Sequence, residues 1–101
     1  PLKKTDFAQN IYWVFGIVLK ENTNIDAKTV MSKLSDIRIG SRPFFYPINK
    51  QPVYAGKYDF ESQNFPISEY LSLKGFYVPS GLGISPEEIE FVSKELIKIL
   101  T

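Results

Sequence analysis

The run Ile11-Tyr12-Trp13-Val14-Phe15-Gly16-Ile17-Val18-Leu19 constrains this chain more than any other segment. β-Branched and aromatic residues dominate it, so it reads as a strand. Successive strand side chains point to opposite faces, and here both alternating sets are apolar. Such a strand needs cover on both faces of its sheet. A chain of 101 residues has room for one domain and one modest core. Either the strand is wholly internal and central, or one face is left unmatched and serves as a docking surface for another domain or subunit. At nine residues the run falls far short of the roughly 20 that a bilayer-spanning helix requires.

The remaining elements follow from periodicity and punctuation. Lys20 to Asn24 form a polar turn. Asn24 or Asp26 caps a helix across 26–36, where Ala27, Val30, Met31 and Leu34 repeat at helical spacing. Ile37 to Phe45 reads as a second strand, with Arg38 and Arg42 on one face by the period of two. Two arginines on one face either bind a phosphate or carboxylate bidentately or form a solvated surface. Residues 46–64 show no regular pattern, yet carry Tyr46, Tyr54, Tyr58 and Phe60. A structureless loop beyond roughly 15 residues is uncommon in a compact domain. Its rings either pack across the domain's own face or await a partner.

Pro66 suits the first turn of a short helix bearing Ile67, Tyr70 and Leu71, and Gly75 supplies its C-terminal cap. Phe76-Tyr77-Val78 is a short strand ended by Pro79, and Ser80-Gly81-Leu82-Gly83 is a small-residue turn. Ser85, Pro86 and Glu88 then announce a capping box, flanked by Ile84 and Ile89 as a hydrophobic staple. The helix they start should run to about Ile99, burying Ile89, Val92, Leu96 and Ile99, with Glu90 and Lys94 paired outside. The element order gives an α+β fold: a small, mostly antiparallel sheet with helices packed on one face.

Arg42-Pro43-Phe44-Phe45-Tyr46-Pro47 places three aromatic rings between two prolines, beside a cation. Pro43 lacks a donor, so the strand leading to it stops or becomes a sheet edge. The stretch is either a strand end feeding the core or a ligand-facing lip.

Composition narrows the chemistry. Hydrophobic residues make up 44% of the chain and aromatics 15%, which fits a packed globule. The net charge of +1 comes without a polybasic run, so no nucleic-acid surface is marked. Cysteine and histidine are both absent. That excludes disulfides, zinc sites and Ser-His-Asp or Cys-His nucleophile arrangements built from this chain. No signal peptide is visible. The chain opens on Pro1, without an initiator methionine, and is expected to be a piece of something longer.

Three segments in register carry a resemblance. Ile11 to Leu19, Gly40-Ser41-Arg42-Pro43-Phe44-Phe45-Tyr46-Pro47-Ile48 and Phe76-Tyr77-Val78-Pro79-Ser80-Gly81-Leu82-Gly83-Ile84 resemble the C-terminal small domain of the DegT/DnrJ/EryC1/StrS aminotransferases. Gln51-Pro52, Phe65-Pro66 and Pro86-Glu87-Glu88-Ile89 fit in the same order. The Arg-Pro-Phe-Phe-Tyr-Pro form is most similar to the perosamine-synthase branch, which acts on a 4-keto-6-deoxy sugar linked to GDP. The resemblance implies the small domain of a fold-type I enzyme that uses pyridoxal phosphate (PLP) to aminate a nucleotide sugar. The amino donor would be glutamate, the parent a cytoplasmic homodimer, and the product a precursor of cell-surface polysaccharide.

On this reading residues 1–10 are a linker from an N-terminal large domain and residues 11–101 are the small domain. The large domain would hold most of the cofactor contacts and the Schiff-base lysine. No catalytic, cofactor-binding or metal-binding residue is therefore expected here, and the chain by itself should be inactive. Arg42, Phe44, Tyr46 and Asn49 are the expected substrate-binding residues, a guanidinium suiting a diphosphate and aromatic rings a sugar or base. The family's usual Pro-Leu-His reads Pro47-Ile48-Asn49 here. Asn49 can hydrogen-bond a sugar hydroxyl but does not titrate near neutral pH. A different class of function is a free-standing interaction module that grips a peptide or single-stranded polynucleotide with the aromatic region 42–60.

Overall fold

The computed structural model describes residues 5–60 and 63–101. Lys3 and Lys4 of the expected linker, and Glu61 and Ser62 of the expected loop, lie outside the described residues. In chain order the elements are β1 (Phe15–Val18), α1 (Ala27–Asp36), β2 (Arg42–Pro43), two short 3-10 turns (Ile48–Lys50 and Pro52–Tyr54), α2 (Pro66–Lys74), β3 (Gly75–Val78) and α3 (Pro86–Leu100). The sheet has the order β1-β3-β2, and both outer strands run antiparallel to β3. This is the expected α+β architecture. No helix among the described residues is long and apolar enough to cross a membrane.

The helices form where local signals are strongest. Asp26 Oδ1 accepts the Thr29 N–H at 2.8 Å and starts α1, which buries Ala27, Val30 and Leu34. The capping box of α3 is complete: the Glu88 N–H donates to Ser85 Oγ and the Ser85 N–H donates to Glu88 Oε2. Glu90 and Lys94 pair at 2.8 Å on the outside of that helix. Val92, Leu96 and Ile99 pack against a core of Leu19, Ala27, Val30, Leu34, Ile39 and Phe76. Ile89 departs from expectation at 51% exposed; it overhangs a groove along β1 instead of entering the core.

Both outer strands are shorter than the sequence implies. β1 pairs only from Phe15, opposite Val78, to Val18, opposite Gly75. Its partner begins directly after α2 and stops at Pro79, which has no N–H for a longer ladder. β1 is also an edge, so the wholly internal central position falls to β3. Trp13, Val14, Phe15 and Val18 are all left exposed.

The expected strand from Ile37 to Phe45 is reduced to Arg42–Pro43, because α1 ends in a Schellman turn. The Arg38 N–H reaches the Ser35 carbonyl and the Ile39 N–H reaches the Leu34 carbonyl. Arg38 takes a φ of 62°, a position where glycine is usual. Arg38 and Arg42 therefore do not share a strand face. Pro43 does sit on an edge strand, as its missing donor requires.

Register assigns the two faces of the sheet. Phe15, Ile17, Phe76 and Val78 belong to one set of alternating rows and point toward α1 and α3. Gly16, Val18, Gly75, Tyr77 and Arg42 belong to the other set, the face over which the Phe44 ring lies.

The long loop is tethered near its start, where Lys50 pairs with Glu69 of α2 at 3.1 Å. The helix that follows the loop is itself tied to the end of β1, the Tyr70 hydroxyl donating to the Leu19 carbonyl at 2.5 Å. Tyr54, Tyr58, Phe60 and Phe65 form their own cluster, with neighbouring ring centroids 5.5 to 6.4 Å apart. These rings contact one another, which settles how most of the loop's aromatics are used.

Candidate functional site

The open face of the sheet is built around one ring. The Phe44 N–H donates to the Gly75 carbonyl, and the side chain lies back across the strands. It stacks on Tyr77 with centroids 4.6 Å apart and planes at 30°. Two glycines make room for it. A Cβ on Gly16 would stand 3.1 Å from Phe44 Cζ, and one on Gly75 would overlap both the Phe44 ring and the Leu71 carbonyl oxygen. Gly75 is extended, with φ of −102°. It is the expected C-cap of α2, its N–H donating to the Leu71 carbonyl, and close approach, not a positive φ, is what requires glycine there.

Beside this stack, Trp13, Val14, Gly40, Ser41, Arg42, Tyr77, Val78, Pro79 and Ser80 surround an open hollow of 390 Å³. Arg42 is exposed there, and among the described residues no carboxylate pairs with it. Ser80 Oγ donates to the Trp13 carbonyl at 3.2 Å, joining the approach to β1 with the turn after β3. An unpaired guanidinium beside a tyrosine and an indole suits an anion attached to a flat or ring-shaped group.

The four expected substrate residues fall into two groups. Arg42 and Phe44 share the open face, Arg42 lining the hollow and Phe44 supporting Tyr77. Tyr46 lines a separate shallow depression with Pro47, Lys50, Glu69, Ser72 and Leu73. Asn49 is half-buried within the first 3-10 turn. Phe45, 77% exposed, approaches Tyr77 edge-on at 6.3 Å. Sequence reasoning missed Trp13, Tyr77 and Ser80 as lining residues. The period of two in Phe76-Tyr77-Val78 carried the signal for Tyr77, since a buried Phe76 sends its neighbour to the other face.

The family profile of the DegT/DnrJ/EryC1/StrS aminotransferases matches residues 1–97. The chain belongs to that family. Among curated relatives it is 31% identical over 85 residues to a GDP-perosamine synthase of Escherichia coli O157:H7, covering 84% of this chain and 22% of the relative. It is 30% identical over 88 residues to a GDP-perosamine synthase of Vibrio cholerae, covering 87% of this chain and 23% of the relative. A third GDP-perosamine synthase, from Caulobacter vibrioides, is 25% identical over 92 residues, covering 91% of this chain and 24% of that protein. The chain thus spans less than a quarter of the length of the curated relatives it matches.

The lysines described here do not fit the position that holds pyridoxal phosphate in such an enzyme. Lys74 alone among the described lysines is half-buried. Its ammonium donates to the Thr23 carbonyl at 2.9 Å and the Ile25 carbonyl at 3.2 Å, and so ties α2 to the connection before α1. The other described lysines stand exposed, and Lys50, which borders the depression beside Tyr46, is paired with Glu69.

Proposed function

We propose that this chain is the C-terminal small domain of a PLP-dependent aminotransferase acting on a nucleotide-linked 4-keto-6-deoxy sugar of the perosamine type. The observation that carries the proposal is the family match across nearly the whole chain, joined to relatives that all bear the name GDP-perosamine synthase. Residues 1–10 serve as the linker and residues 11–101 as the domain. The rest of the enzyme holds the cofactor, which supplies the chemistry of moving an amino group from glutamate to the keto carbon. This domain binds and orients the substrate and has no activity alone.

The surface of the chain supports an incomplete body. It exposes 8385 Å², against roughly 5,800 Å² expected for a free-standing protein of its mass. Its radius of gyration is 16.2 Å, where a compact chain of this length would have about 13 Å. Exposed apolar side chains such as Phe45, Ile67 and Leu82 make up part of that excess. On the substrate side, Arg42 faces the diphosphate and Phe44 holds Tyr77 in place. Tyr46 and Asn49 reach the sugar from the neighbouring turn, Asn49 hydrogen-bonding where the family usually places histidine. The enzyme works in the cytoplasm as a homodimer and feeds cell-surface polysaccharide synthesis.

The test is to express the full-length protein that carries this segment and supply pyridoxal phosphate, L-glutamate and a GDP-linked 4-keto-6-deoxy sugar. Formation of 2-oxoglutarate together with an amino sugar nucleotide is expected. Binding of cofactor without turnover of any keto sugar nucleotide would overturn the substrate assignment.

A further inference from the structure

We infer that the hollow between Trp13 and Arg42 is a nucleotide subsite, in which the indole of Trp13 carries the base and Arg42 the diphosphate. The choice of ligand rests on the nucleotide-sugar reading above; the site itself rests on geometry.

Trp13 is the single tryptophan of the chain, and it stands 73% exposed at the rim of the hollow. Its backbone is nevertheless held from both sides. Tyr12 adopts a φ of 49°, uncommon for any residue but glycine, and its N–H donates to Asn10 Oδ1 at 2.8 Å. From the other side the Ser80 hydroxyl holds the Trp13 carbonyl. The left-handed turn at Tyr12 breaks the extended chain just before β1, so Trp13 and Val14 stand free of the ladder and border the hollow. An indole fixed at its backbone and bare on its ring is a platform for a flat partner, and every nucleobase offers a π-face.

The opposite wall supplies the charge. Arg42 has no carboxylate partner among the described residues, and its planar fork matches phosphate oxygens bidentately. Gly40 and Ser41 precede it along the rim, and a Cβ on Gly40 would meet nothing within 4 Å. That end of the hollow is open to a bulky anion. Tyr77 forms the floor between the two walls and is held by its stack on Phe44. Ser80 is a positioning residue that acts through Trp13.

The single tryptophan makes the subsite directly observable in the 101-residue chain. Titration with GDP should quench its fluorescence saturably. Inorganic pyrophosphate should reverse the quench, and guanosine, which lacks the diphosphate, should quench only weakly and linearly. Arg42→Ala should raise the GDP midpoint about tenfold while leaving the far-UV circular dichroism unchanged. Ser80→Ala should weaken GDP binding less and make Trp13 more accessible to acrylamide; restoring the hydroxyl as Ser80→Thr should recover both. Unchanged fluorescence at millimolar GDP would overturn the proposal. So would equal quenching by GDP and guanosine, or a midpoint indifferent to Arg42→Ala. In the full-length protein, Trp13→Ala should raise KM for the sugar nucleotide with little change in kcat. Active transamination with no tryptophan response sinks the subsite alone. A saturable response without transamination sinks the enzymatic reading alone.

Discussion

The two faces of one small sheet are built by opposite rules. On the packed face, Ile17, Phe76 and Val78 meet α1 and α3, and the space is filled by large aliphatic and aromatic side chains. On the open face, Gly16 and Gly75 leave the backbone bare and a single ring, Phe44, lies over it. One face gains stability from volume and the other depends on missing volume. The difference shows where the domain is complete by itself and where it presents Arg42, Tyr77 and Trp13 outward.

Enlarging or hollowing side chains on each face tests that contrast. Leu34 is fully buried on the packed face, and Leu34→Ala should cost about 3 kcal/mol through transfer and cavity effects. Denaturant unfolding measures it. Gly75→Ala should cost about 2 kcal/mol for the opposite reason, since the added methyl collides with the Leu71 carbonyl and the Phe44 ring. Gly16→Ala should cost about 1 kcal/mol, because only the Phe44 ring has to give. In a Phe44→Ala background that penalty should vanish. If Gly16→Ala costs the same with and without the Phe44 ring, the account of the open face is wrong.

The helices were legible because their signals are local. Asp26, Pro66 and the Ser85-Glu88 box fix three starts within a turn of the residues that announce them. The edge strands were not, because ladder length depends on a distant partner. Nothing within Ile11 to Leu19 says that β3 is four residues long and closed by Pro79. The fate of Arg38 was hidden for another reason: a Schellman turn normally shows itself by glycine, and here an arginine occupies the left-handed position. Arg38→Gly should therefore stabilise the chain by less than about 1 kcal/mol, the relief of strain being partly offset by a freer unfolded chain. The candidate site was half legible. The residue types around Arg42 pointed to a ligand, but only the folded chain reveals that Phe44 lies over Gly16 and Gly75 and that Trp13 borders the Arg42 hollow.

The smallest effect concerns acid. The Asp26 carboxyl is held below its ordinary value, chiefly by hydrogen bonds from the Thr29 hydroxyl and N–H, with Lys74 and Lys28 adding attraction. Glu87 is lowered too, by its own backbone N–H and the Ser85 hydroxyl. A depressed folded-state pKa contributes stability above the unfolded value, about 4 for these carboxylates, and that contribution is lost as pH falls through the folded value. Thermal midpoints should thus be flat near neutrality and decline below about pH 4. Asp26→Asn, which retains a capping oxygen, should shrink the part of that decline due to α1.

Amide chemical-shift mapping of the labelled chain with GDP puts the central claim to the most direct test, because it reads both faces and the aromatic loop at once. The account predicts saturable shifts confined to residues 13–14, 40–42 and 77–80, with the α1–α3 core unmoved. Shifts centred on Tyr54, Tyr58 and Phe60, or spread evenly over the surface, would contradict it.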